Sequence, residues 1–434
     1  MNRRSYLDSL LGQIHCKRAC PMIEEELQGH IEEQKRDFMA HGMTDQEAED
    51  AAVREMGDPV EVGRQLDKIH RPRMPYLLMG FIIGLSGIGV SIQIAINKLI
   101  EMGDGFGLYT SYVQDMLVGM GLGMVLMMVI CCIDYRIIGK YAMYVWAALN
   151  GMIALQAVMG IVVNGVIRTN AISCMLLPAF AAVLYHYKGK GTKGLIKCLA
   201  CYMLPILLSC WVSWSVVYTM LFYVAGAILI FAAIAKKWFG CGRTKQNITA
   251  AGWILGLTAV LALLGMVMYQ FLEVYQRARL AAAAQMSGDI PDYIVEMLNR
   301  MSLVMNNGAD IMLLDDQALA LTNIRSDYIL AFVFQCLGSW QGMLITALVV
   351  GFVILLCVLV HRQKNPLGYI LSLSILLMMT MEILLYVGAN VGYLPVASIS
   401  MPFFTGGKVN MFVTYIYMGL MLSVYRNQNL IPAE

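Results

Sequence analysis

Two carboxylates stand beside or within apolar runs, where a charged side chain is costly, and they are the first candidates for chemistry. Glu382 lies inside the apolar run 366–387, and Asp327 comes shortly before another such run. A carboxylate inside a bilayer is functional by default, although a structural hydrogen bond between helices explains Glu382 equally well. Partial desolvation of Asp327 would raise its proton affinity and suit a general base. The alternative for Asp327 is a helix N-cap.

Basic residues that share a predicted membrane side with Asp327 could offset the charge of a phosphate group. They are Arg168, Arg277, Arg279 and Lys408. Arginine is well suited to bidentate phosphate contacts, and fixed cations stabilise a departing anion. A solvated loop or a phospholipid contact is the commoner role of such side chains.

Cysteine and histidine spacing gives no metal site. Most of the cysteines lie in apolar runs, where a free cysteine behaves as a small hydrophobe. Cys16 and Cys20 form the one spaced pair, but no second pair and no nearby histidine cluster completes a zinc-type set. We therefore predict no metal site and no cofactor, and leave open a requirement for a divalent cation.

The composition is that of a membrane protein with a charged N-terminal part. Apolar residues make up 59% of the 434 residues and charged residues 14%, against roughly 45–50% and roughly 25% in soluble domains. The charges are concentrated in the first seventy or so residues. A net charge of +2 without a basic stripe indicates no nucleic-acid partner.

Ten apolar runs of membrane-spanning length follow one another from Tyr76 onward. They lie near 76–99, 112–133, 140–163, 171–187, 194–210, 212–235, 250–271, 339–360, 366–387 and 408–425. The eighth could begin as early as Tyr328. Continuous apolarity of this length must be helical, because lipid cannot satisfy a free backbone. The sequence predicts an all-α polytopic membrane protein of about ten transmembrane helices.

Lysine and arginine residues on alternate loops predict the orientation of these helices. They are Arg136, Lys140, Lys188, Lys190, Lys193, Lys236, Lys237, Arg243, Lys245, Arg362, Lys364 and Arg426. The positive-inside rule places these loops and both termini in the cytoplasm. It places the long loop 272–327 outside, and a loop of that length is uncommon unless it is functional or disordered.

Residues 1–73 predict a small soluble domain of four short helices. Pro21 is a favoured first-turn residue for the second helix, which runs to Ala40. Thr44 and Glu47 have the spacing of a capping box for the third helix, and Asp58 precedes the fourth. The domain is too small for a large core.

Three stretches carry a family resemblance. The best is 392–395 (GYLP) followed by 400–407 (SMPFFTGG); the second is 326–331 (SDYILA) with Leu337-Gly338 after it; the third is 133–136 (IDYR). In order and spacing they resemble motifs of the shape, elongation, division and sporulation family, which includes FtsW, RodA and SpoVE. The resemblance spans about residues 76–427.

This resemblance implies ten transmembrane helices and a large outer loop between the seventh and eighth. It also implies polymerisation of peptidoglycan glycan strands from the undecaprenyl-pyrophosphate-linked disaccharide precursor, in cell division, cell shape or sporulation. Asp327 matches the family's proposed catalytic Asp, and a penicillin-binding transpeptidase is a possible partner beside the lipid bilayer. The alternatives are a catalytically degenerate regulator or scaffold and a flippase for the same precursor.

Several positions depart from the family pattern. Gln335-Cys336 replaces an acidic pair, and 176–180 (LLPAF) lacks the carboxylate of the family's Q-P-S-E motif. Lys408 replaces a serine, and the family's G-S-G-G stretch has no clear counterpart. These departures predict weak or specialised catalysis, or a purely regulatory role.

The first 73 residues resemble a different unit, the permease prefix domain that precedes membrane proteins of Gram-positive bacteria. The matching elements are 30–33 (HIEE), the helix with Ala48 and Ala52, and 56–59 (MGDP).

Overall fold

All regular secondary structure is helical in the part of the chain that its structure, a computed structural model, describes. The described residues are 2–15, 17, 20–70, 74–104, 110–159, 170–212, 216–240, 242–269, 328–390, 399–405 and 408–428. No strand occurs within these ranges, and the prediction of an all-α protein is confirmed. The chain divides into two compact units, Met1–Pro75 with Tyr425–Glu434, and Tyr76–Val424.

The first unit contains the four helices expected from its start and stop signals. They are α1 (Arg3–Leu11), α2 (Cys20–Ala40), α3 (Asp45–Glu55) and α4 (Pro59–His70). The capping box is present: the Thr44 hydroxyl and backbone N–H donate to Glu47 Oε2 at 2.6 and 3.2 Å. The Asp58 carboxylate accepts from the Val60 N–H at 3.5 Å. Local capping therefore defines the helix ends of this unit.

The core of the first unit is formed by apolar faces of its helices together with Ile14, which follows α1. Its buried members are Tyr6, Leu7, Leu10, Ile14, Ile23, Leu27, Ile31, Ala52 and Val53. The ammonium group of Lys35 joins two helices at the surface, because it lies 2.9 Å from Asp45 and 3.0 Å from Glu49. The resemblance of residues 1–73 to a permease prefix domain stays a prediction.

The second unit is a bundle of apolar helices. They are α5 (Tyr76–Asp104), α6 (Thr110–Cys132), α7 (Arg136–Lys140), α8 (Ala142–Val158), α9 (Asn170–His186), α10 (Gly191–Val212), α11 (Val216–Ala235), α12 (Arg243–Tyr269), α13 (Ile329–Phe332), α14 (Ser339–His361), α15 (Pro366–Asn390) and α16 (Lys408–Arg426). Apart from the short α7 and α13, they follow the ten predicted runs in order. Within the described residues, five helices are long and apolar enough to cross a membrane, and shorter apolar helices accompany them.

Helix α9 lies at the centre of this bundle. It packs against α8, α11 and α15, and an unbroken run of its residues, 176–184, is buried. A helix that is apolar on every side is stable only when other helices cover all of its faces. Side chains of α9 and α15 therefore meet in the protein interior.

Helix α12 begins at Arg243, earlier than the predicted residue 250. Its first turns contain polar residues, so the apolar pattern begins later than the helix does. Gln246 is nevertheless buried, and its side-chain amide donates to the Phe239 carbonyl at 2.6 Å.

Candidate functional site

The chain breaks its helical path directly after the predicted catalytic position. Helix α13 is followed by a π-helical turn, Val333–Leu337, and then by Gly338 with φ 124°. A Cβ atom at Gly338 would lie 2.6 Å from Gln341 Oε1, the end of a flexible side chain, so it is the positive φ that favours glycine here. The predicted eighth run, 339–360, corresponds to α14, and the alternative start at Tyr328 falls at the separate short element α13. Isolated π-helical turns occur frequently at functional sites.

Two side chains of α15 fix this element in place. The Ile329 N–H donates to Tyr386 Oη at 3.0 Å, and the Ala331 N–H donates to Asn390 Oδ1 at 3.0 Å. The first N–H groups of a helix have no partner within the helix, so α15 supplies the caps of α13. Tyr386 is 2% exposed and Asn390 4%. The backbone that continues from Asp327 is therefore anchored inside the protein.

Glu382 lies on the same stripe of α15 as these two caps. Residues 382, 386 and 390 are spaced by four, which places them on one face of a helix. Glu382 is 6% exposed, and the Cys174 thiol of α9 donates to its Oε1 at 3.6 Å. No lysine, arginine or histidine among the described residues forms an ion pair with it.

Two tyrosines surround the Glu382–Cys174 pair. Tyr417 of α16 donates its hydroxyl to the Cys174 carbonyl at 2.6 Å. Tyr218 of α11 makes a hydrogen bond with Ser400, and its phenol is close enough to Glu382 to interact with it electrostatically. Helices α9, α11, α15 and α16 thus meet in one buried polar cluster.

The segment 399–405, which carries part of the best family-like motif, is a buried turn beside α5. The Phe403 carbonyl packs against Gly89, where a Cβ atom would collide with it. Phe403 itself has φ 69°, a left-handed conformation that is uncommon for a bulky residue. Gln93 of α5 donates its side-chain amide to the Phe404 carbonyl at 3.0 Å. Non-helical backbone at membrane depth is tolerated only when protein groups satisfy it in this way.

The 133–136 motif forms a turn between α6 and α7. Asp134 accepts from the Arg136 backbone N–H at 3.0 Å and from its guanidinium at 2.7 and 2.9 Å. Ser423 of α16 donates its hydroxyl to the Ile133 carbonyl at 2.5 Å. The contacts of this motif are those of a structural turn.

Most of the predicted site residues lie outside the described residues. These are Asp327, Arg168, Arg277 and Arg279, and their roles stay predictions. Lys408 is the first residue of α16. Sequence reasoning missed Tyr386, Asn390 and Cys174 as neighbours of the site. The four-residue spacing of polar groups in the apolar α15 was the available signal.

No family model and no curated protein matches this sequence. Solved structures do match its fold. A chain from a structure described as the coordination of polymerization and crosslinking by a peptidoglycan synthase complex has a TM-score of 0.58 at 14% identity, covering 82% of this chain and 98% of that chain. The rod shape determining protein RodA of Thermus thermophilus has a TM-score of 0.53 at 12% identity, covering 82% of this chain and 97% of its own. A point variant of the same RodA gives 0.54.

The helices and the matches together define the class of protein. The second unit is a multi-pass helical membrane domain. Its fold is the one found in RodA and in the matched chain of the peptidoglycan synthase complex.

Proposed function

We propose that this chain is a membrane protein of the FtsW, RodA and SpoVE type that polymerises peptidoglycan glycan strands. Its substrate would be the undecaprenyl-pyrophosphate-linked disaccharide precursor. The fold shared with RodA over nearly the whole of that protein carries this proposal. The motifs at 133–136, 326–331 and 400–407 support it, since they occur in the family's order.

In the proposed reaction Asp327 takes the proton from an acceptor sugar hydroxyl. The hydroxyl oxygen then forms a bond with the anomeric carbon of the donor, and the bond from that carbon to the pyrophosphate oxygen breaks. Undecaprenyl pyrophosphate leaves with the electron pair. Arg168, Arg277, Arg279 and Lys408 are the proposed cations that offset its negative charge.

The α15 caps support a role for Asp327. A general base must be held within hydrogen-bond reach of the proton that it removes. Asp327 is joined by one peptide bond to Tyr328, which is buried and opens the anchored element. The protein thus provides a rigid attachment on one side of the candidate base.

A regulator of envelope synthesis is the second candidate function. Two departures from the family pattern favour it: Gln335-Cys336 stands in the π-helical turn where the family has an acidic pair, and 176–180 (LLPAF) in α9 lacks the family's carboxylate. Such a protein would bind the precursor or a penicillin-binding transpeptidase. The similarity to a chain of a peptidoglycan synthase complex supports a partner of that kind.

Replacing Asp327 by Asn tests the enzymatic proposal. We expect polymerisation by the purified full-length protein to fall by about 100-fold to 10,000-fold, the usual contribution of a general base. Asp315→Asn, in the same predicted loop, is the matched control and should retain activity. Equal activity of Asp327→Asn and wild type would contradict the catalytic role. An inactive wild type that binds a transpeptidase would favour the regulator.

A further inference from the structure

Two turns at one end of the bundle lie side by side and present exposed lysines. The Gly189 N–H, between α9 and α10, donates to the Trp238 carbonyl, after α11, at 2.8 Å. We define the lysine cluster as the exposed lysines on these turns and in the first two turns of α10. Its members are Lys190, Lys193, Lys197, Lys236 and Lys237.

Aromatic rings place the lysine cluster at the level of the lipid headgroups. The ammonium groups of Lys190 and Lys197 lie 4.7 and 5.9 Å from the centre of the Tyr187 ring. The ammonium group of Lys236 lies 4.0 Å from the centre of the Tyr369 ring. Tyrosine and tryptophan at the ends of membrane helices mark the membrane–water boundary. The lysines therefore stand where phospholipid phosphates lie.

The helices of the second unit supply almost no carboxylate that could neutralise these lysines. The sequence contains no Asp or Glu between Asp134 and Glu273. Glu382 is the one acidic residue between Asp327 and the last residue, Glu434, and it is buried. Among the described residues, no member of the lysine cluster forms an ion pair with a carboxylate. The positive charge of the cluster is therefore not balanced within the second unit and is available to an external anion such as a lipid phosphate.

We propose that the lysine cluster binds the headgroup phosphate of an anionic phospholipid in the cytoplasmic leaflet. Lysine ammonium groups from both turns donate to the phosphate oxygens. The hydrogen bond between Gly189 and Trp238 holds the turns together, so one headgroup can reach both. This site does not depend on the proposed polymerase function.

Lipid retention by the full-length protein tests the site. Wild type is reconstituted in nanodiscs of phosphatidylcholine with or without phosphatidylglycerol, and the lipids kept after transfer to detergent are counted by native mass spectrometry. We expect wild type to retain phosphatidylglycerol preferentially. Lys190→Gln with Lys236→Gln removes one cation from each turn and should lower that retention at least tenfold, because each surface lysine contributes about fivefold.

The control variant carries Lys68→Gln and Lys98→Gln, two exposed lysines of α4 and α5 that lie outside the predicted cytoplasmic loops. It changes the charge equally and should retain phosphatidylglycerol as wild type does. Melting of each variant in pure phosphatidylcholine reports whether it is folded, and a misfolded pair is replaced by Lys197→Gln with Lys237→Gln. Equal retention by cluster variant and wild type, or equal loss in cluster and control variants, would overturn the proposal. Inorganic phosphate is also added to wild type in pure phosphatidylcholine. If it raises the melting temperature as much as phosphatidylglycerol does, the site binds a soluble anion and the proposal is overturned.

Discussion

Tyr386 and Asn390 satisfy two backbone N–H groups that α13 cannot satisfy by itself. Both side chains are buried, and both hydrogen bonds measure 3.0 Å. A buried N–H group that loses its acceptor costs about 1–3 kcal/mol. These two residues therefore determine how firmly the backbone after Asp327 is held.

Replacing Tyr386 by Phe is expected to loosen this backbone. The ring and its packing remain, but the Ile329 N–H loses its acceptor, so the free energy of unfolding should fall by about 1–3 kcal/mol. If Asp327 is the general base, kcat should fall more than KM rises, because proton transfer needs the tighter position. Thermal unfolding and polymerisation kinetics measure the two effects.

Tyr144→Phe is the matched control for this change, since Tyr144 is 76% exposed. It should behave as wild type in both assays. If Tyr386→Phe has the same stability and kcat as wild type, the Tyr386 hydroxyl does not hold the backbone after Asp327 in place.

The sequence predicts that certain polar residues of the site are buried, but not which residues they bond to. A lone Glu382 in an apolar run predicts a buried carboxyl group, because every helix of a bundle must hide such a group from lipid. Its partner Cys174 lies 208 residues away in sequence, and the partners of Tyr386 and Asn390 lie 57 and 59 residues away. Apolar periodicity along one helix carries no information about which distant helix supplies the partner.

At the scale of elements, the break at Gly338 separates α13 and its π-helical turn from the long α14. Hydropathy predicted the ten long helices, because lipid leaves an apolar run no alternative to helix. It did not predict the break, since an isolated glycine in an apolar run is compatible with an uninterrupted membrane helix. The break is fixed by contacts that hydropathy does not report: the turn packs against α13 and α14, and α15 caps α13.

Gly338→Ala is expected to destabilise the protein by roughly 1–3 kcal/mol, the range for a residue forced into a rare backbone conformation. The added Cβ also meets Gln341. Gly80→Ala in α5 is the control, because no atom lies within 4 Å of the added Cβ there and alanine favours helix. Thermal unfolding of the purified proteins should show a lower melting temperature for Gly338→Ala alone. Equal melting temperatures would mean that the turn accepts a side chain.

At the scale of the whole molecule, the first unit has caps, stops and a core of its own. Its helix ends are satisfied by nearby residues such as Thr44, Glu47 and Asp58, and its core draws on helices of the same unit. Sequence signals predicted these helices well because capping is local chemistry.

Deleting residues 1–73 is therefore expected to leave membrane insertion intact. The spanning helices begin at Tyr76, so the insertion signals remain in the shortened chain. Membrane fractionation and labelling of an introduced cysteine in 236–249 measure the result, with the full-length protein as reference. We expect that cysteine to be cytoplasmic in both proteins. A shortened chain that stays outside the membrane fraction would show that the first unit contributes to insertion.

The turn at 399–405 has a consequence for the order in which the bundle is made. Gln93 of α5 bonds to the Phe404 carbonyl 311 residues later, and Ser86 bonds to Tyr415 329 residues later. A ribosome needs roughly 15–60 s to synthesise such a stretch at ~5–20 residues per second. During that time α5 lies in the bilayer before Gln93 and Ser86 can form these two hydrogen bonds. These contacts of α5 can therefore form only after α16 has been synthesised. A prematurely terminated chain leaves this face of α5 without its native partners, as a target for quality-control proteases.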